Sequence, residues 1–175
     1  MPKFFENIKE FELAFKEYYN PLVNFVNKYL HNFENSREVV QMTFVKVWES
    51  RINLDIKISI KSYLYQSVKN TMIDFLRKNK NVFGAVDLDN SAAFNLPDDK
   101  PEHLDPYIVK QAVEVVLEKL KPKAREIFSL HKFEGLTYEE IADYLNISKR
   151  SVEDNIAKIL KRLKDELKNH PDLFE

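Results

Sequence analysis

The stretch that most limits how this chain can fold runs from Thr137 to Leu167, where apolar residues recur at three- and four-residue spacings on either side of one short polar break. Thr137 is a good N-cap, and Glu140 can close a capping box with it ahead of Ile141, Ala142 and Leu145. Asn146 tolerates the left-handed backbone that a helix end needs, Ile147 can plug the corner, and Ser148 can cap the next helix, which makes a turn of about four residues. Val152, Ile156, Ile159, Leu160, Leu163 and Leu167 mark the buried face of that second helix. Its first turn is polar. Ser148, Lys149, Arg150, Ser151, Glu153, Asp154 and Asn155 lie where a helix entering a DNA major groove meets base edges, with Lys158, Lys161 and Arg162 farther along. The small Ala142 suits a close helix crossing. An ordinary antiparallel helix pair with a solvated polar turn is the competing reading.

Composition narrows the alternatives. With 175 residues the chain can form one domain or two small ones. It has no cysteine, which excludes disulfides, thiolate metal sites and cysteine nucleophiles and suits a reducing cytoplasm. The only glycines are Gly84 and Gly135, so no glycine-rich phosphate loop can be built. His31, His103, His131 and His170 are scattered without metal-ligand spacing. Neither a metal nor a cofactor nor a catalytic residue is expected. No apolar run approaches the ~20 residues of a membrane span, and the N-terminus lacks a basic-then-apolar signal, so a cytoplasmic protein without membrane insertion is expected.

A net charge of −1 looks wrong for a nucleic-acid binder until it is divided along the chain. Residues 1 to 84 carry 13 basic and 9 acidic groups, residues 85 to 118 carry 2 and 8, and residues 119 to 175 carry 12 and 11. The acidity is concentrated in the middle. Two lobes joined by an acidic connector keep basic faces available on the lobes themselves.

Taken in order, residues 4 to 33 hold a dense helical pattern that includes Phe11, Tyr18, Leu22, Val26 and Leu30. Pro21 falls inside it, so either one helix is kinked there or a first helix ends near Asn20. Asn35 and Ser36 offer the next cap, followed by an apolar seam of Val39, Val40, Phe44, Val47 and Trp48 over roughly 36 to 50, with Arg37, Glu38, Gln41 and Lys46 on the polar side. Arg51 to Ser59 reads as a connecting loop. From Ile60 the helical period returns, with Leu64, Val68, Met72, Phe75 and Leu76 on one side and Ser62, Gln66, Lys69, Asn70, Ile73 and Arg77 on the other. Between Lys57 and Lys80 there are six basic residues and one acid, Asp74, interleaved with Tyr63, Tyr65 and Phe75. That mixture suits a single strand, whose phosphates need charge and whose bases need flat surfaces, or else core aromatics beneath snorkelling lysines. Asn79 to Pro106 loses periodicity and reads as a flexible linker. Helical spacing resumes at Tyr107, and Pro122 opens a further helix that Gly135 can end. The expected fold is all-α: two small helical domains, 1–80 and 107–175, joined by an acidic flexible linker at 81–106, the second domain containing a helix-turn-helix.

The segments in this order resemble an extracytoplasmic-function (ECF) sigma factor, the small bacterial promoter-specificity subunit of RNA polymerase. "SREVVQMTFVKVWES" (36 to 50) is similar to the family's polymerase-binding helix, and "SYLYQSVKNTMIDFLRK" (62 to 78) to the helix that reads and opens the −10 element. "LKPKAREIFSLHKFEGLTYEEIADYLNISKRSVEDNIAKILKRL" (120 to 163) is similar to the domain that reads the −35 element. Met42 and Arg37 stand where acidic residues are common in the family, and Asn146 replaces the usual turn glycine. The Asn- and Lys-rich flavour resembles members from Bacteroidetes-type bacteria.

The resemblance implies a non-enzymatic protein that lends promoter specificity to core RNA polymerase. Glu38, Gln41, Phe44 and Lys46 would dock on the clamp coiled coil of the largest subunit, with the polymerase flap as a further partner. Lys61, Gln66, Lys69, Asn70, Arg77 and Lys78 would handle the −10 element, and residues 51 to 60 a base flipped from the duplex. Ser148, Lys149, Arg150, Ser151, Asp154, Lys158 and Arg162 would meet the −35 element. Promoter DNA and an anti-sigma factor complete the implied partners. The rivals are a one-component regulator, with residues 1 to 80 sensing a ligand or dimerising, and a nucleic-acid enzyme, against which the lack of a clustered acidic or histidine set argues.

Overall fold

The computed structural model describes residue 5, residues 7–54, residue 56, residues 58–79 and residues 106–168, and every regular element among them is helical. Most of the expected linker therefore lies outside the described residues. So do His103, His170, Asp55, Lys57 and Lys80. The chain divides into two compact units.

The first unit is a three-helix packing of α1 (Ile8–Leu30), α2 (Phe33–Ser50) and α3 (Ile60–Lys78), with every pair in contact. Each helix begins at a side chain that accepts an otherwise orphaned N–H. Asn7 takes that of Glu10 at 3.0 Å, Asn32 that of Asn35 at 3.0 Å, and Ser59 that of Ser62 at 3.0 Å. α1 runs through Pro21 without a break; that residue is exposed, and the helix forfeits one backbone bond there. It ends where His31 takes φ 49° and returns its N–H to the Asn27 carbonyl at 3.0 Å.

The start of α2 corrects the sequence expectation. The cap is Asn32, four residues before Ser36, and Ser36 is buried inside the helix with its hydroxyl donating to the Asn32 carbonyl at 2.7 Å. Leu22, Val26, Val39, Val40, Leu64 and Val68 are fully buried where the three helices meet, each side chain contributing about 1.5–3 kcal/mol of burial. An aromatic cluster closes one end: Phe11 and Phe15 pack against Phe44, at 5.8 and 4.9 Å between ring centroids, and Phe11 also meets Trp48 at 4.9 Å.

The second unit contains α4 (Pro106–Glu118), α5 (Pro122–Lys132), the greater part of α6 (Tyr138–Leu145) and α7 (Lys149–Lys168). α4 and α5 both pack on α7. Pro122 opens α5 in its first turn, after Lys121 in the extended backbone that a following proline requires. Arg125, one turn into α5, donates to the carbonyls of Leu117, Glu118 and Leu120 at 3.0, 3.2 and 3.4 Å, and so supplies the orphaned acceptors at the end of α4. Gly135 adopts φ 63°, which turns the chain so that the Leu136 N–H reaches the Leu130 carbonyl at 3.0 Å.

The capping box before α6 forms as expected. The Glu140 carboxylate accepts from the Thr137 N–H at 2.8 Å, and the Thr137 hydroxyl accepts from the Glu140 N–H at 3.2 Å. Glu140 is buried, so the box supplies a hydrogen bond that water would otherwise have to make. Thr137→Ala is expected to cost about 1 kcal/mol of this unit's stability. Urea unfolding followed by circular dichroism measures it, and a midpoint equal to the parent's would deny the cap its role.

Candidate functional site

The turn between α6 and α7 is built from three local choices. Asn146 takes φ 52°, the left-handed conformation expected of it, and the Ile147 N–H then reaches the Ala142 carbonyl at 2.9 Å. Ser148 caps α7 by accepting the Ser151 N–H at 3.2 Å. Behind this turn Ile141, Val152, Ile156 and Ile159 are buried, which anchors α7 by its rear face and leaves its front face outward. Ser148, Lys149, Arg150, Glu153, Asp154, Lys158 and Arg162 are exposed, and Ser151 is half-buried. Asn155 is partly spent inside the helix, donating to the Ser151 carbonyl at 2.7 Å.

One expectation on α7 needs correction. Leu160, counted with the buried face, is 53% exposed; the buried line runs Val152, Ile156, Ile159, and Leu160 lies past its edge. The Lys149 ammonium donates to Glu139 on α6 at 2.9 Å. That hydrogen bond, and then the negative charge of Glu139, raise the Lys149 pKa above the ordinary lysine value, with Glu153 adding to the effect. Arg150 has no ion partner among the described residues.

On α3 the expected polar residues do not form one continuous face. At about 100° per residue, Gln66, Lys69, Asn70, Ile73 and Arg77 share a stripe, whereas Lys61 and Lys78 fall on other sides of the helix. Asn70, Arg77 and Lys78 are exposed, and Lys61, Gln66 and Lys69 are half-buried. Ser62 departs from the polar side altogether; it is buried, and its hydroxyl donates to the Ser59 carbonyl at 3.1 Å. Tyr65 and Phe75 are buried too, with Tyr65 at 5.1 Å from the Phe25 ring, so they are core aromatics rather than surfaces for unstacked bases. Asp74 bonds Arg77 at 3.3 Å and lies 3.9 Å from Lys46 of α2.

On α2, Glu38, Gln41 and Lys46 are exposed as expected. Phe44 is not. It is only 3% exposed and locked between Phe11 and Phe15, so it supports the helix from within. Sequence reasoning missed Val45, which is 56% exposed and follows Gln41 by one turn, and Ile52, which is 80% exposed in the short 3₁₀ turn Arg51–Asn53. Their departure from the Val39–Val40–Phe44–Val47 seam was the available signal. Arg51 folds back over the end of α2, its guanidinium 3.9 Å from the Trp48 ring centre and one N–H bonded to the Trp48 carbonyl at 2.7 Å.

Among the described residues no three histidines or carboxylates gather to hold a metal, and His131 is engaged with the Leu136 carbonyl at 2.9 Å. No helix there is long and apolar enough to cross a membrane.

Comparison with known families decides between the readings. Residues 14–82 match the model for Sigma-70 region 2, and residues 110–163 match the model for Sigma-70, region 4. The chain is an ECF-type RNA polymerase sigma factor. RNA polymerase sigma factor YlaC from Bacillus subtilis is 25% identical over 154 residues, spanning 87% of this chain and 89% of its own. ECF RNA polymerase sigma factor SigM of the same organism is 24% identical over 150 residues, 86% of this chain and 90% of its own. The sigma factor RpoE from Bartonella quintana, solved in complex with the anti-sigma factor NepR, shares the fold with a TM-score of 0.56 at 19% identity, covering 92% of this chain and 98% of that one. None of these assigns the sigma factor to a bacterial group, so the Bacteroidetes-like flavour stays a resemblance in composition.

Regions 2 and 4 of a sigma factor bind the −10 and −35 promoter elements, and a sigma factor is not itself an enzyme. Because the first unit corresponds to region 2, the sensing or dimerising domain of a one-component regulator has no place in it.

Proposed function

We propose a division of this work among named residues. Region 4 would place α7 in the −35 major groove, with Arg150 on base edges beside Ser148, Ser151 and Asp154, and with Lys158 and Arg162 on phosphates. Region 2 would present the Gln66–Asn70–Arg77 stripe to the −10 element, with the turn after α2 next to a flipped base. The outer face of α2, Glu38, Gln41, Val45 and Lys46, together with Ile52 in the 3₁₀ turn that follows it, would dock on the clamp coiled coil of core polymerase. On this reading residues 1–80 and 107–175 are the two working domains, and 81–106 is the acidic tether that follows a polymerase channel. Region 4 would also meet the flap. A cytoplasmic place of work follows from such a partner, and an anti-sigma factor, as in the RpoE–NepR complex, is a fitting regulator.

The observation that carries this reading is the exposed polar first turn of α7, held outward by the Thr137–Glu140 box, the left-handed Asn146 and the buried Val152–Ile156–Ile159 line. Pull-down of the tagged full chain from a bacterial lysate, followed by initiation assays with the recovered polymerase, tests it. Core subunits are expected to co-purify, with promoter-specific transcripts only when both are present. Tight, sequence-specific duplex binding by the chain without polymerase would overturn it.

A further inference from the structure

Glu139 stands in the first turn of α6, across the turn from Lys149, and belongs to no part of the capping box formed by Thr137 and Glu140. Its carboxylate and the Lys149 ammonium meet at 2.9 Å with both side chains half or more exposed, 61% and 51%. Glu153, on α7 itself, adds a second negative charge to the field at Lys149. An exposed pair of this kind adds little to folding. Its consequence falls on what Lys149 is able to bind. A phosphate oxygen arriving there has to replace a carboxylate oxygen already in bonding range, and has to settle within reach of that carboxylate's own charge.

We propose that Glu139 is a positioning residue that withholds Lys149 from DNA phosphate, so that region 4 meets any duplex with one cation fewer than its sequence suggests. This rests on the reading of α7 as the helix that contacts DNA. The free sigma factor then has low affinity for bulk DNA through a contact inside region 4 itself, and the weight of recognition shifts to Arg150, which has no such partner among the described residues. A phosphate contact raises affinity for every sequence alike, whereas a base contact does not. Removing one phosphate contact therefore lessens retention on non-promoter DNA without touching base reading.

The test uses the full chain and a short fluorescent duplex of arbitrary sequence, titrated by anisotropy over a series of salt concentrations. Counterion release gives a slope of about −0.9 in log K against log salt for each phosphate neutralised. Glu139→Gln is therefore expected to steepen the slope by about 0.9 and, scaled from 1 M salt, to tighten binding about eightfold at 0.1 M. The gain should vanish in a Lys149→Gln background. Equal slopes for the parent and Glu139→Gln would overturn the inference. So would a gain that persists without the lysine, since Glu139 would then act through net charge alone. Lys158→Ala in the same titration reports on the underlying reading: a slope shallower by about 0.9 puts α7 on the DNA, whereas no change removes that reading and this inference with it.

Discussion

Replacing Arg150 with alanine is expected to cost about 1 to 3 kcal/mol, roughly five- to 150-fold, in initiation from promoters carrying the preferred −35 base, and to relax preference at that one position. Arg150 is exposed in the first turn of α7, and its planar guanidinium can bond guanine through two parallel N–H groups, the commonest specific contact in a major groove. Lys158 lies two turns farther along, where a helix crossing the groove has usually left the bases. Lys158→Ala should therefore weaken all −35 sequences alike. The measurement is initiation by reconstituted holoenzyme on a panel of single-base −35 variants. Equal losses for both substitutions on matched and mismatched sequences would make Arg150 a phosphate contact and reverse the assumed orientation of α7.

Phe44→Ala is expected to destabilise region 2 by about 3–5 kcal/mol, because it removes a ring packed between Phe11 and Phe15 and leaves a cavity. Gln41→Ala, one turn earlier and exposed, is expected to move stability by no more than ~0.5 kcal/mol while weakening the hold on core polymerase. The side-chain bond Gln41 makes to the Tyr19 hydroxyl is long, 3.5 Å, and exposed, so its loss counts for little. Thermal unfolding by circular dichroism and a polymerase-binding titration separate the two effects. If Phe44→Ala kept its unfolding midpoint and lost only polymerase, the buried placement of Phe44 would be wrong.

What was legible in the sequence was local. The Thr137–Glu140 box, the Ser148 cap, the left-handed Asn146 and the stop at Gly135 each involve residues within a turn or so of one another, and residue type suffices to choose them. What was misjudged depended on neighbours distant in the chain. α3 packs on both α1 and α2, so its buried arc is wider than the single face that periodicity suggests, and Ser62 and Tyr65 fall within it. Phe44 reads equally well as a docking aromatic or a core one until α1 supplies Phe11 and Phe15. Asn32 and Ser36 are both good caps, and only the packing that buries Ser36 selects the earlier one. The Lys149–Glu139 pair spans ten residues across a turn, a separation that no helical spacing rule addresses.

The reach of Arg125 across to the last carbonyls of α4 bears on how region 4 can be transplanted between sigma factors. A graft cut at Pro122 would carry the whole helix-turn-helix, yet it would strand that guanidinium without the acceptors at Leu117, Glu118 and Leu120. It would also lose the Lys119–Glu166 ion pair, 3.7 Å, and strip Val116, Leu117 and Leu120 from the hydrophobic floor under α7. The portable unit therefore begins at or before Pro106, and a junction inside the α4–α5 turn would trade an intact recognition surface for a domain unable to hold it in shape.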